Sequence, residues 1–118
     1  MSKPSKCISV DAARALQDNW VATRQPEIDR TLGYTDAREV FYSVEELEEF
    51  LNYVKEESKK QGITNPGIRI YFSAYNDAKS NKATVFLAPT VSDDKNSDNN
   101  YSIEALNEGG QGWPPKSY

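Results

Sequence analysis

The chain has 118 residues, a formal net charge of −4 and 37% hydrophobic residues. This length fits one domain with its own core, and the composition lies above the level at which chains stay disordered. The acidic balance, with no local cluster of Lys and Arg, argues against nucleic acid as a partner, because phosphate binding depends on clustered cations. We therefore expect a single domain over residues 1–118.

The first residues are polar and contain no apolar run of the length that a signal peptide or membrane span requires. We expect residues 1–8 to be a flexible N-terminus and the protein to be cytoplasmic, without membrane contact. Cys7 is the only cysteine, so an internal disulfide is excluded.

Two helices are predicted in the first third of the chain. Ser9 can cap a helix from about Val10 to Arg24, whose narrow apolar stripe has Trp20 as its anchor. Pro26 suits the first turn of a short second helix that Gly33 could end. Because the first stripe is narrow, we expect this helix to lie on the surface of the domain.

The clearest helix follows a short strand, Glu39 to Tyr42. Ser43 and Glu46 have the spacing of a capping box, and apolar residues then recur at helical spacing up to a stop at Gly62. This pattern predicts a helix from Val44 to about Gln61.

Two segments with alternating side chains, 67–75 and 83–90, predict a β-hairpin. Together with the earlier strand and the helices, the pattern favours an α+β fold. We expect a small mixed sheet of three to four strands, with the two main helices packed on one face.

Residues 91–100 are polar and predict a surface loop, and residues 101–118 predict an irregular C-terminal tail that returns to the body of the domain. Asp94, Asn96 and Asp98 match the first spacings of a calcium loop, but Asn99 and Ala105 stand where that motif requires Gly and Glu. We therefore predict a solvated loop and no metal site.

Catalytic motifs are missing from the sequence. With no histidine, the chain lacks His-containing triads and the commonest general base, and it has no Walker loop, no G-x-S-x-G elbow and no dinucleotide-binding motif. We predict no cofactor and no catalytic residue. Asp and Glu side chains are the only remaining acid–base groups, and no pair of them stands out.

The outer face of the hairpin is the candidate site, because it combines a guanidinium with flat aromatic rings. The residues predicted to bind a small molecule or a protein are Arg69, Tyr71, Tyr75 and Phe86. Three other outcomes stay open for this face: cover by the tail with Trp113, cover by a second subunit in a homodimer, or plain exposure to solvent.

Residues 42–47, 67–72 and 84–90 resemble a group of small uncharacterised bacterial proteins with a GIRIYF…TVFLAPT pattern. Ser73 stands where that group is expected to have a glycine. The resemblance implies a bacterial cytosolic setting and a shared fold, and it implies no activity or site residue.

These observations favour a non-enzymatic module that binds a ligand or a protein through the outer sheet face. The alternative is a carboxylate-dependent hydrolase or transferase that acts on a small molecule. It would require a cleft that holds a desolvated Asp or Glu.

Overall fold

The computed structural model describes residues 2–118 as a mixture of helices and strands, which confirms the coarse α+β class. The elements in chain order are α1 (Val10–Thr23), α2 (Gln25–Leu32), β1 (Val40–Phe41), α3 (Val44–Lys60), β2 (Ile68–Ala74), β3 (Ala83–Pro89) and β4 (Gly110–Gln111).

The helix ends follow the local signals in the sequence. The Ser9 hydroxyl accepts a hydrogen bond from the Ala12 N–H, and Ser43 with Glu46 forms the complete capping box at the start of α3. Gly33 ends α2 with a φ of 83°, a left-handed conformation that favours glycine. These short-range predictions are therefore confirmed.

The strands form two separate antiparallel pairs, β1 with β4 and β2 with β3. The prediction of one small mixed sheet of three to four strands is therefore wrong. β1 has only two residues, and its partner is the glycine-rich segment near the C-terminus. A Cβ atom added to Gly109 would lie 2.7 Å from Cζ of Tyr42, so close approach of this segment depends on glycine.

The core lies between α3, β3 and the C-terminal segment, residues 101–118. Its buried members are Phe50, Val54, Leu87 and Ile103. Tyr42, Leu47, Ile68, Val85 and Leu106 pack around them. Because Ile103 and Leu106 belong to this set, the C-terminal segment is part of the core and not a loose tail.

The N-terminal helices are packed differently from the prediction. α1 has no buried residue and makes its closest helix contacts with α2, whereas α3 alone among the described helices contributes to the core cluster. The predicted packing of both main helices on one face is therefore not confirmed, whereas the expected surface position of α1 agrees with its lack of buried residues. The physical reason is the narrow stripe of α1, which leaves Leu16 exposed.

Tyr42 provides a pH-dependent test of this core. Burial raises the pKa of its hydroxyl above the ordinary value of 10.0, the backbone of Gly109 opposes this shift, and Tyr75 and Glu46 add to it. The fold therefore favours the neutral phenol, and this contribution is complete below about pH 10 and is lost as the pH rises further.

We expect wild type to lose stability relative to Tyr42→Phe above about pH 10, because only wild type must ionise a buried phenol. Urea unfolding of both proteins at neutral pH and near pH 11 measures this difference. A difference that stays constant over this range would contradict the assignment.

Candidate interaction surface

The hairpin register assigns each side chain to a face. Tyr71 lies opposite Phe86 and Ser73 opposite Thr84, so these side chains share the outer face with Arg69. Ile70 lies opposite Leu87 and Phe72 opposite Val85, so these side chains share the inner face that carries the core.

Arg69 is bound within the chain. Its guanidinium donates to Oδ1 of Asn99 at 2.5 Å, to the carbonyl of Lys95 at 2.8 Å and to the carbonyl of Ser97 at 3.0 Å. The segment 95–99 therefore lies against this end of the outer face. Fork-shaped donation to several acceptors is a geometry that arginine provides and lysine does not.

The two central aromatic rings of the outer face stack on each other. The ring centroids of Tyr71 and Phe86 are 4.9 Å apart with an interplanar angle of 17°. The Tyr71 hydroxyl also accepts a hydrogen bond from Nδ2 of Asn99 at 2.8 Å. Arg69, Tyr71 and Phe86 thus form one cluster that includes Asn99, a residue that the sequence pattern did not single out.

Tyr75 lies outside this cluster. Its hydroxyl donates to Oδ1 of Asn107 in the C-terminal segment at 2.9 Å. Trp113 does not cover Arg69, since its indole N–H donates to the carbonyl of Thr35 at 2.6 Å. The binding of an external ligand by Arg69, Tyr71, Tyr75 and Phe86 stays a prediction, and each polar member of the set already has an internal partner.

The polar loop after β3 is organised by its own side chains. Oδ1 of Asp94 accepts from the Asn96 N–H at 2.8 Å, and the Asp94 carbonyl accepts from the Ser97 N–H. Among residues 2–118, no group of three or more Asp, Glu, Cys or His side chains is placed to hold a metal ion. The same loop provides the three acceptors that bind Arg69.

The free edge of β3 is covered by the C-terminal segment. Leu87 exchanges two backbone hydrogen bonds with Leu106. Farther along, Nδ2 of Asn107 donates to the Val85 carbonyl, and Nε2 of Gln111 donates to the Ala83 carbonyl. Side-chain amides thus replace a neighbouring strand and protect this edge from other chains.

The free edge of β2 is open. Since Leu87 bonds away from β2, its cross-strand partner Ile70 must also direct its N–H and carbonyl away from the hairpin. The alternation extends this to every second residue, and β2 has β3 as its one neighbouring strand in the described chain. The residues concerned are Ile68, Ile70, Phe72 and Ala74.

Two large apolar side chains stand beside this open edge. Ile70 is 60% exposed and Phe72 is 88% exposed, although both lie on the inner face. The inner face of the hairpin is therefore only partly covered. The core is centred on β3 and the C-terminal segment, so Ile68 is the one β2 side chain that packs against it.

A cavity of about 440 Å³ adjoins Phe72 at the turn end of the hairpin. Apolar groups from both N-terminal helices line it, including Trp20 and Ile28. Its two carboxylates hold backbone amides: Oδ1 of Asp36 accepts from Ala37 and Ala83, and Oε1 of Glu39 accepts from Lys116. Both carboxylates therefore have structural partners.

The molecule exposes more surface than a monomer of its mass usually does. Its accessible surface is 9023 Å², whereas the scaling for monomeric proteins gives about 6,400 Å² at this mass. Its radius of gyration is 16.5 Å, against about 13.5 Å for a compact domain of this length. The excess of roughly 2,500 Å² on one chain is larger than the about 800 Å² that each partner buries in a standard interface.

Comparison of the chain with protein-family models, with curated proteins and with solved structures finds no match. The resemblance to a bacterial group stays a prediction. Within residues 2–118, no helix has both the length and the apolar character that crossing a membrane requires.

Proposed function

We propose that this protein is a non-enzymatic protein-interaction module that binds an extended chain along the open edge of β2. The observation that carries the proposal is that β2 has unsatisfied backbone groups along its free edge and, on the same edge, the exposed side chains of Ile70 and Phe72. Such an edge is a template for strand addition, in which main-chain hydrogen bonds provide affinity.

The two edges of the hairpin support this choice of surface. Natural proteins protect free edges with charges, proline or cover from another segment. The edge of β3 has such cover from Asn107 and Gln111, whereas Ile70, Phe72 and Ala74 on β2 are neither charged nor covered. The contrast within one hairpin favours a role for the β2 edge.

In this proposal the outer face has a structural role and does not itself bind the partner. Arg69 and Tyr71 bind the hairpin to the segment 95–99, and the rings of Tyr71 and Phe86 stack across β2 and β3, so these contacts hold in place the strand that carries the edge. The carboxylate-dependent enzyme remains the alternative, with Asp36 and Glu39 of the cavity as its acid–base groups. The contacts of these two carboxylates do not favour it, because both hold backbone amides.

Photo-crosslinking tests the proposal in cells that express the protein. We expect a benzophenone amino acid in place of Phe72 to give covalent adducts with a protein chain, because a bound strand would lie beside it. The matched control replaces Phe41, which is 70% exposed and belongs to the other strand pair, β1 with β4. Equal adducts at the two positions, or none at position 72, would overturn the proposal.

A further inference from the structure

We infer that the chain bound at the β2 edge is a second copy of this protein, paired antiparallel through β2 about a two-fold axis at Tyr71. This inference rests on the proposed function and names its partner. It is carried by three observations: the open edge, the self-complementary order of the side chains along it, and the excess of exposed surface.

The register follows from the sequence of β2. With Tyr71 at the axis, Ile70 of one copy lies opposite Phe72 of the other, and Ile68 lies opposite Ala74. The four residues with outward backbone groups therefore pair with one another, which gives about eight hydrogen bonds across the axis. Every pair on the inner face is apolar, and aromatic with β-branched pairs are favourable across strands.

Charge does not oppose this pairing. β2 contains one charged side chain, Arg69, and the two-fold places it opposite Ser73 of the second copy. Because the guanidinium is already bound by Asn99 and the carbonyls of Lys95 and Ser97, it requires no new partner. No like charges are therefore brought together along the strand, although each copy has a net charge of −4.

The exposed area is sufficient for an interface of this kind. Stable interfaces bury about 800 Å² on each partner, and the surface of this chain exceeds the monomer expectation by roughly 2,500 Å². The cavity that joins Phe72 to Trp20 continues the apolar surface beyond the strand itself. A second copy on β2 can therefore bury more than the edge alone.

The symmetric arrangement also removes the open edge. Pairing the two copies of β2 makes a four-stranded antiparallel sheet whose outer strands are the two copies of β3. The free edge of each β3 is already covered by Leu106, Asn107 and Gln111. The assembly closes at two copies because no strand edge of this sheet is left open.

Sedimentation equilibrium of the full chain over a range of concentrations tests the inference. We expect wild type to reach twice the 13.3 kDa of the single chain. Phe72→Lys should weaken the association by roughly tenfold or more, because it places a charge opposite Ile70 in the apolar pair. Phe41→Lys is the matched control and should leave the association unchanged. Circular dichroism verifies that both variants are folded.

A disulfide test checks the register independently. In the Cys7→Ser background, Tyr71→Cys should form an intermolecular disulfide on mild oxidation, because residues at the axis face each other at about 4.5 Å between Cα atoms. Ser73→Cys should not form one, because Arg69 of the second copy lies opposite it. Rapid disulfide formation at position 73 and not at position 71 would overturn this register.

The outcomes separate the inference from the proposed function. A monomer at all concentrations that still gives adducts at position 72 with another protein overturns the homodimer and leaves the interaction module. A monomer without adducts overturns both. A dimer that is unaffected by Phe72→Lys shows that the copies meet elsewhere and overturns the inference.

Discussion

Replacing Ile103 with alanine should lower the free energy of unfolding by about 2–5 kcal/mol, the usual range for truncating a buried isoleucine. Ile103 is 4% exposed and belongs to the same core cluster as Phe50, Val54 and Leu87. It also lies in the C-terminal segment that covers the edge of β3, so its loss removes both packing and the anchor of that cover. Urea unfolding monitored by tryptophan fluorescence measures the change.

Tyr101→Ala is the matched control for this prediction. Tyr101 lies two residues earlier in the same segment and is 90% exposed, so its truncation should change stability by no more than about 0.5 kcal/mol. Equal, small effects at positions 101 and 103 would show that the C-terminal segment is not docked on the core.

Arg69→Ala should lower the free energy of unfolding by roughly 2–3 kcal/mol, because it leaves three acceptors in the segment 95–99 without their charged donor. Arg69→Lys should recover less than half of this loss, since an ammonium cannot reproduce the fork of three bonds. Denaturant unfolding gives the stability, and hydrogen exchange of residues 95–99 should become faster in both variants.

The same pair of variants distinguishes a structural role of Arg69 from a ligand site. A structural role predicts that stability and loop exchange change together. If Arg69→Ala leaves both unchanged and removes the thermal stabilisation that a small molecule provides, the outer face is the binding site and the structural role of Arg69 is wrong.

The local elements of the fold could be predicted from short stretches of sequence. The cap at Ser43 and Glu46 and the stop at Gly33 depend on groups within three or four residues of each other, so their effect is present in the sequence pattern itself. The hairpin was predictable for the same reason, because strand alternation is a local property.

The burial of the two hairpin faces could not be predicted in this way. Alternation assigns Ile70 and Phe72 to one face, but it does not say how much of that face a helix covers. The coverage depends on α3, β3 and Ile103, which meet across long separations in the chain. As a result, Arg69 and Tyr71 are more covered than Phe72, the reverse of what hydrophobicity alone suggests.

The sequence pattern also could not predict which edge of the hairpin is covered and which is open. Asn107 and Gln111 look like ordinary polar residues of a glycine-rich tail, yet their amides complete the hydrogen bonding of β3. Asn99 has a similar role, since it contacts both Arg69 and Tyr71. Their function becomes visible only when the distant segment is placed beside its strand, and this placement also identifies β2 as the unprotected edge.

Hydrogen exchange at single amides of β2 tests the open edge most directly. The N–H of Tyr71 is directed to β3 and that of Ile70 away from it. In dilute or Phe72→Lys protein, we predict slow exchange at Tyr71 and fast exchange at Ile70, with Ile70 becoming slow when wild type is concentrated. Slow exchange at Ile70 in the monomer would contradict the open edge, and fast exchange that does not respond to wild-type concentration would contradict its pairing with a second copy.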